Sequence, residues 1–372
     1  MQHGANGGPR LNFPVMDGLR GVAALCVMFY HFTQTANVRL FPQGSLAVDI
    51  FFCLSGFVIA QSYQARLDDG LSLLGFARVR LVRLYPLYCV GLALGVVNLL
   101  ATGALGGQAY EIGKFGLVVV NGLFVLPTLA RFTIGIGADQ TDHVAFPLNG
   151  PSWSLFFELL SNALYAVLRP RGLTLVLLVS VLAVLFVETS LLYRGPSGWG
   201  SHNILGGFPR ALFAFYLGTG LRQLWGTGAL RVPGRLAPAA LVLTPIVCSA
   251  PDSLIGFLAA ALIAAPAMVC LATAQPRLSP LARRAFALLG EISYPLYAIH
   301  LPAFGLLKLA IDALSGAPLD TPLSLVAATA LGVGLVIVCL ALSRLYDRPV
   351  RRALMALPMA ASRQASIRLM NH

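Results

Sequence analysis

Charge is what this chain has least of. Asp, Glu, Lys and Arg make up 11% of its 372 residues, against about a quarter in an ordinary soluble domain, and this excludes a water-soluble globule. Metal and disulfide chemistry lack a framework as well. The six cysteines, Cys26, Cys53, Cys89, Cys248, Cys270 and Cys339, show no CxxC spacing and all lie in apolar runs, where they read as small packing residues. The period-2 alternation of an outer-membrane barrel is absent. So are a long polar insertion and an internal repeat, which leaves a single membrane domain over 1–372 and no separate soluble module.

What is present is apolar. Hydrophobic residues are 57% of the chain, gathered into runs the length of a bilayer-spanning helix and broken by Arg, Pro and Gly. The fold expected is all-α, a polytopic bundle of about ten spans at 19–32, 46–63, 84–101, 151–168, 173–193, 208–225, 236–250, 253–274, 286–310 and 322–345. The stretch 115–129 is marginal in length and reads as a short re-entrant or interfacial helix. The first run carries Arg20 and His31 and lacks a small-residue cleavage site, so it reads as a retained span and not a signal peptide.

The net charge of +12 has a topological reading in place of a nucleic-acid one, because a soluble basic patch needs polar surface that this composition lacks. With 115–129 re-entrant, most arginines fall on one side: Arg66, Arg78, Arg80 and Arg83, then Arg169 and Arg171, then Arg231, Arg235 and Arg277, and the tail from Arg344. Arg39, Lys114, Arg131, Arg194, Arg210 and Lys308 fall on the other. Positive residues mark the cytoplasmic face. Both termini are therefore expected there, as an N-terminal segment 1–16 and a basic tail 346–372.

Ionisable groups inside spans cost about 2.5–3.5 kcal/mol each even on lenient insertion scales, so each requires a reason. In DGLRGVAALCVMFYH, Arg20 and His31 are eleven residues apart, which puts both on one helix face about 16 Å apart. Arg20 could serve as a snorkelling anchor. His31 could be a packing residue, but an imidazole that accepts a hydroxyl proton near neutral pH is the functional reading. Asp49, in AVDIFFCLSGF, could orient that imidazole as the third member of a catalytic triad does, or be a helix N-terminal charge. The loop ARVRLVRLYPLY carries Arg80 and Arg83 in an RxxR spacing, suited either to phosphates or to topology alone. PSWSLFFELLSNALY sets Ser154, Glu158 and Tyr165 along one polar stripe that must avoid lipid. In GEISYPLYAIH, Ser293, Tyr297 and His300 share a face beside Pro295.

These segments, in this order and over nearly the whole chain, resemble the acyltransferase-3 family of bacterial inner-membrane acyltransferases. The resemblance rests on Arg20 and His31, VDIFFCLSGF, Arg80 and Arg83 ahead of LYPLY, PSWSLFFE, and GEISYPLYAIH. It implies ten helices with cytoplasmic termini in the bacterial inner membrane, and transfer of an acyl group, commonly acetyl, from cytosolic acyl-CoA to a sugar hydroxyl. Under it, Arg20 and His31 match the essential pair; the residue chemistry above adds Asp49 and Glu158 as further catalytic candidates. Arg80 and Arg83 become candidates for acyl-CoA binding, and Trp153, Ser154, Tyr297 and His300 for the acceptor site. Acyl-CoA enters as co-substrate with no tightly bound cofactor and no metal; the partners are that donor, a carbohydrate or lipid-linked glycan acceptor and the bilayer, without nucleic acid. The Glu158 motif runs on as LLSNALY, where the family is usually more acidic or aromatic. The rival reading is a transporter of a glycan or small anion, since intramembrane charges also mark transport paths; its usual signature is a pair of inverted repeats.

Overall fold

The computed structural model describes residues 13–34, 39–105, 112–129, 144–316 and 324–358. These form thirteen α-helices: α1 (Pro14–Phe32), α2 (Leu46–Asp68), α3 (Leu73–Leu105), α4 (Ile112–Leu123), α5 (Ser152–Leu168), α6 (Gly172–Leu192), α7 (Ile204–Thr227), α8 (Ala237–Cys248), α9 (Leu254–Ala259), α10 (Ala265–Ala272), α11 (Pro280–Ser315), α12 (Leu325–Leu342) and α13 (Arg348–Ala356). Single π turns join α9 to α10 and α12 to α13, making two continuous rods. Among the described residues the extended backbone pairs only at an isolated bridge, Val144 to Gly200.

Each of the ten apolar runs read as a span is helical, and eight rods are long and apolar enough to cross a membrane. The helix α5, at 17 residues, and α8 fall short of that length. Helix α4, which holds the first part of the marginal segment, is apolar and at 12 residues shorter than the spanning rods. Its last turn lies beside Tyr85 and Tyr88 of α3, whose hydroxyls donate to the Leu123 and Gly122 carbonyls. The chain then reverses at Val125, whose φ is 55°, and returns so that Leu148 packs on Gly95 of α3. Helices α3 and α5 run antiparallel, with Asn149 beside Gly91 and Glu158 on Arg80.

Two boundaries differ from the sequence reading. Arg78, Arg80 and Arg83 lie on helix, because α3 starts at Leu73 and not at 84. Likewise residues 346–356 of the expected tail are helical. A hydropathy window finds the stretch that suits hydrocarbon, whereas arginine is a good helix former and extends the rod past it. Residues 1–12 and 359–372 lie outside the described residues.

Close packing is set by glycine. Gly56 of α2 and Gly218 of α7 meet each other's helices so closely that an added Cβ would stand 1.8 Å from the Phe215 carbonyl oxygen and 2.0 Å from that of Cys53. Where lipid competes equally for apolar side chains, this backbone approach is what holds two helices together. The parallel pair α1 and α11 does the same at Gly21, against Leu289.

One end of the bundle is basic. There Asp68 pairs with Arg169 and Arg171, Arg78 caps the carbonyls of Leu354 and Met355, and Phe13 packs on Trp225. The opposite end holds Gln43 against the Pro251 carbonyl and the α1 terminus beside His300.

Candidate active site

A cavity of about 590 Å³ runs through the interior between α1, α2, α3, α5 and α11. Along α2 its wall extends from Val48 to Ser62, about 21 Å at the rise of an α-helix. Its basic-end mouth is walled by Arg83, Glu291, Asp347, Arg348 and Arg351, its middle by Arg20, Ser55, Arg80 and Glu158, and its deep end by Phe51, Asn149, Ser152, Ser154 and Tyr297.

Five arginines and four carboxylates face this space, and most are matched. Arg20 donates through Nε to Ser293 Oγ at 2.8 Å and through Nη2 to Asp17 Oδ1 and the Gly290 carbonyl, both at 3.1 Å. Arg80, 5% exposed, donates to Glu158 Oε1 at 2.8 Å, and Ser55 Oγ donates to the same oxygen at 3.1 Å. At the mouth Arg348 pairs with Glu291 at 3.0 Å and Arg351 with Asp347 at 2.9 Å. Arg83 is different: among the described residues it makes no hydrogen bond or ion pair. The two arginines of the RxxR spacing thus diverge, one paired with Glu158 and the other facing the cavity with no direct ion pair, within the longer-range field of Asp17 and Asp347.

Proline sets the deep end. Pro302 has no N–H, so the carbonyl four residues back, on Ala298, has no intrahelical donor. Asn149 Nδ2 supplies one at 2.8 Å. Alongside, Ser154 Oγ and Tyr297 Oη lie 2.6 Å apart, one donating to the other, and each is 3.2 Å from the Pro151 carbonyl oxygen, which accepts from the hydroxyl left free to donate.

His31 and His300 form a pair beyond this floor. His300 Nε2 is 3.0 Å from His31 Nδ1. Their rings do not line the cavity; the Tyr297 ring, which does, is 5.9 Å from that of His300 and 5.5 Å from that of Phe51. Tyr297 thus links the chamber lining to His300, and His300 in turn meets His31. Arg20 and His31 both touch α11, through Ser293 and His300, so the eleven-residue spacing does place them on one stripe.

Asp49 is a correction. It does not orient His31. Its carboxylate is held by Arg210 of α7, with Nε to Oδ1 at 2.8 Å and Nη2 to Oδ2 at 2.7 Å. Both residues are about 1% exposed, and two buried carboxylate oxygens are best satisfied by the planar guanidinium fork, which one imidazole cannot imitate. Trp153 belongs to the same unit and not to the cavity: Arg210 stacks between its ring, at 5.2 Å, and that of Phe257, at 5.0 Å. Arg210 was the partner missed by the sequence reading, and its signal was a lone cation inside the apolar stretch GGFPRALFAFY. Asn149, Arg348 and Arg351 were also missed, the first for lying outside a span and the other two for being counted as tail.

Fold and site together define a multi-pass membrane protein with an arginine-lined interior chamber and a histidine pair at its closed end. Residues 13–344 match the acyltransferase-3 family, described as an acyltransferase domain, and the chain belongs to that family; it is an acyltransferase of the O-acyl class. It is 38% identical over 167 residues to "Protein 2 in picA locus" of Rhizobium radiobacter, an alignment covering 42% of this chain and 83% of that one. It is 34% identical over 163 residues to "Acyltransferase MdmB" of Streptomyces mycarofaciens, covering 40% of this chain and 38% of that one. No solved structure matches.

Proposed function

We propose that the protein transfers an acyl group, acetyl in the simplest case, from acyl-CoA to a hydroxyl of a carbohydrate acceptor. The basic end of the bundle faces the cytosol of a bacterial cell, following the distribution of arginine, with both termini on that side of the inner membrane. The donor enters there and sets its phosphates against Arg83, which has no direct ion pair among the described residues, with Arg348 and Arg351 beside it. Its thioester arm extends past Arg20 and Arg80 toward Tyr297.

His31 then takes the proton of the acceptor hydroxyl as the oxygen attacks the thioester carbonyl. The carbon–sulfur bond breaks, and the departing thiolate recovers that proton as a thiol. Alternatively His31 carries the acyl group transiently, which would give ping-pong kinetics. No metal or bound cofactor takes part in either route. The observation that supports this reading is a single chamber lined by Arg83 at the basic end and, at the other, by Tyr297, whose ring neighbours that of His300, the partner of His31.

The test is incubation of the purified protein with radiolabelled acetyl-CoA and a membrane glycan fraction. Label should move to the glycan in an alkali-labile, ester-linked form, and should do so with the wild type but not with His31→Ala. Label that stays on CoA, or equal transfer by His31→Ala, would overturn this assignment of donor, acceptor and base.

A further inference from the structure

Three carbonyl oxygens around the histidine pair decide which nitrogen of His31 does the chemistry. His300 Nδ1 lies 3.0 Å from both the Leu296 and the Tyr297 carbonyl oxygens. A carbonyl can only accept, so this nitrogen carries a proton. In a neutral imidazole the other nitrogen is then an acceptor, so His300 Nε2 presents a lone pair. His31 Nδ1 meets that lone pair at 3.0 Å and the Val27 carbonyl oxygen, also at 3.0 Å. Both of its neighbours accept, so His31 Nδ1 must also be N–H. The opposite assignment would set a lone pair of His300 against two carbonyl oxygens and a lone pair of His31 against a third.

We infer that His300 is the positioning residue for His31: it holds the His31 imidazole as the Nδ1–H tautomer and leaves Nε2 as the basic nitrogen. This rests on the proposal that His31 is the general base. The arrangement resembles the task of the carboxylate in a Ser-His-Asp triad, but a neutral imidazole performs it, fixed by main-chain carbonyls of α11. When His31 Nε2 takes up the acceptor proton, the cation formed keeps Nδ1–H directed at His300 Nε2 and the Val27 carbonyl, and no group has to change partner. Asp49, the carboxylate that sequence order offered for this role, is bound to Arg210. His300 is 1% exposed and lies on α11 between Pro295 and Pro302.

Two substitutions separate this role from a structural one. In His300→Gln the Oε1 atom can occupy the place of Nε2 and accept from His31. In His300→Asn the amide reaches the Leu296 and Tyr297 carbonyls as Nδ1 does but offers His31 nothing. Two-bond nitrogen–proton NMR correlations on histidine-labelled protein in micelles, assigned with His31→Ala, give the His31 tautomer without any substrate. The Nδ1–H form is expected in wild type and His300→Gln, and a mixture in His300→Asn. With donor and acceptor present, His300→Asn should lower kcat at least about tenfold at unchanged KM for the donor, and His300→Gln should recover most of it. A wild-type His31 protonated on Nε2, identical tautomer populations in all three proteins, or a kcat for His300→Asn equal to wild type would each overturn the inference. If the tautomers follow this pattern in a protein that transfers no acyl group, it is the reading of function that fails, and not the histidine pair.

Discussion

Arg210 of α7 grips both carboxylate oxygens of Asp49 on α2, in a bundle interior where neither side chain meets solvent. The contact explains why α2 and α7 stay in register around Gly56 and Gly218. It also supplies donors to the Ser45 and Ser197 carbonyls, so that four of the five guanidinium N–H groups are matched. A buried ion pair adds little net stability, whereas breaking one is costly.

Asp49→Ala should therefore destabilise the fold by about 3–5 kcal/mol, since it strands the Arg210 charge in low dielectric. Thermal unfolding in detergent would report this as a large drop in Tm. The double variant Asp49→Ala with Arg210→Met should regain much of the loss. A single variant as stable as wild type would show that the pair is open to water.

Gly218→Val should separate α2 from α7, because an added Cβ would stand 2.0 Å from the Cys53 carbonyl oxygen. Expected is a destabilised protein and lost folded yield, as overpacking typically costs about 1–3 kcal/mol or more. Gly116→Ala is the control, as no atom lies within 4 Å of a Cβ added there.

Arg83→Ala should raise KM for the acyl-CoA donor by about tenfold or more with little change in kcat, since a charge-assisted contact to phosphate contributes about 1.5–3 kcal/mol. Arg80→Ala should act differently. It leaves the Glu158 carboxylate without its cation, and the first effect expected is on stability, read as a lower Tm. Equal donor KM values for wild type and Arg83→Ala would return that arginine to a purely topological role.

His31→Ala should abolish transfer, a loss of about 100-fold to 10,000-fold for a general base, while membrane insertion and Tm stay near those of wild type. Steady-state patterns with two varied substrates then separate the routes: intersecting lines for direct transfer, parallel lines for an acyl-His31 relay.

The order of the apolar helices and the basic end were legible in the chain because they depend on quantities that sum along it. Apolar length against bilayer thickness and the side on which arginines collect require no knowledge of neighbours. Arg20 and His31 could be placed on one stripe for the same reason, since a helix has a fixed period.

Partnership was not legible. Asp49 follows His31 along the chain and was assigned to it, yet α2 turns that carboxylate toward α7, and Arg210 lies 161 positions away. Only the folded bundle joins His31 to His300, 269 positions apart, and leaves Arg83 without a direct ion pair among the described residues while Arg80 takes Glu158. Hydropathy and helical period are one-dimensional and survive in the sequence. Which charge meets which is decided where glycines let helices approach and proline frees a carbonyl, and those contacts come into being only when all the helices are packed.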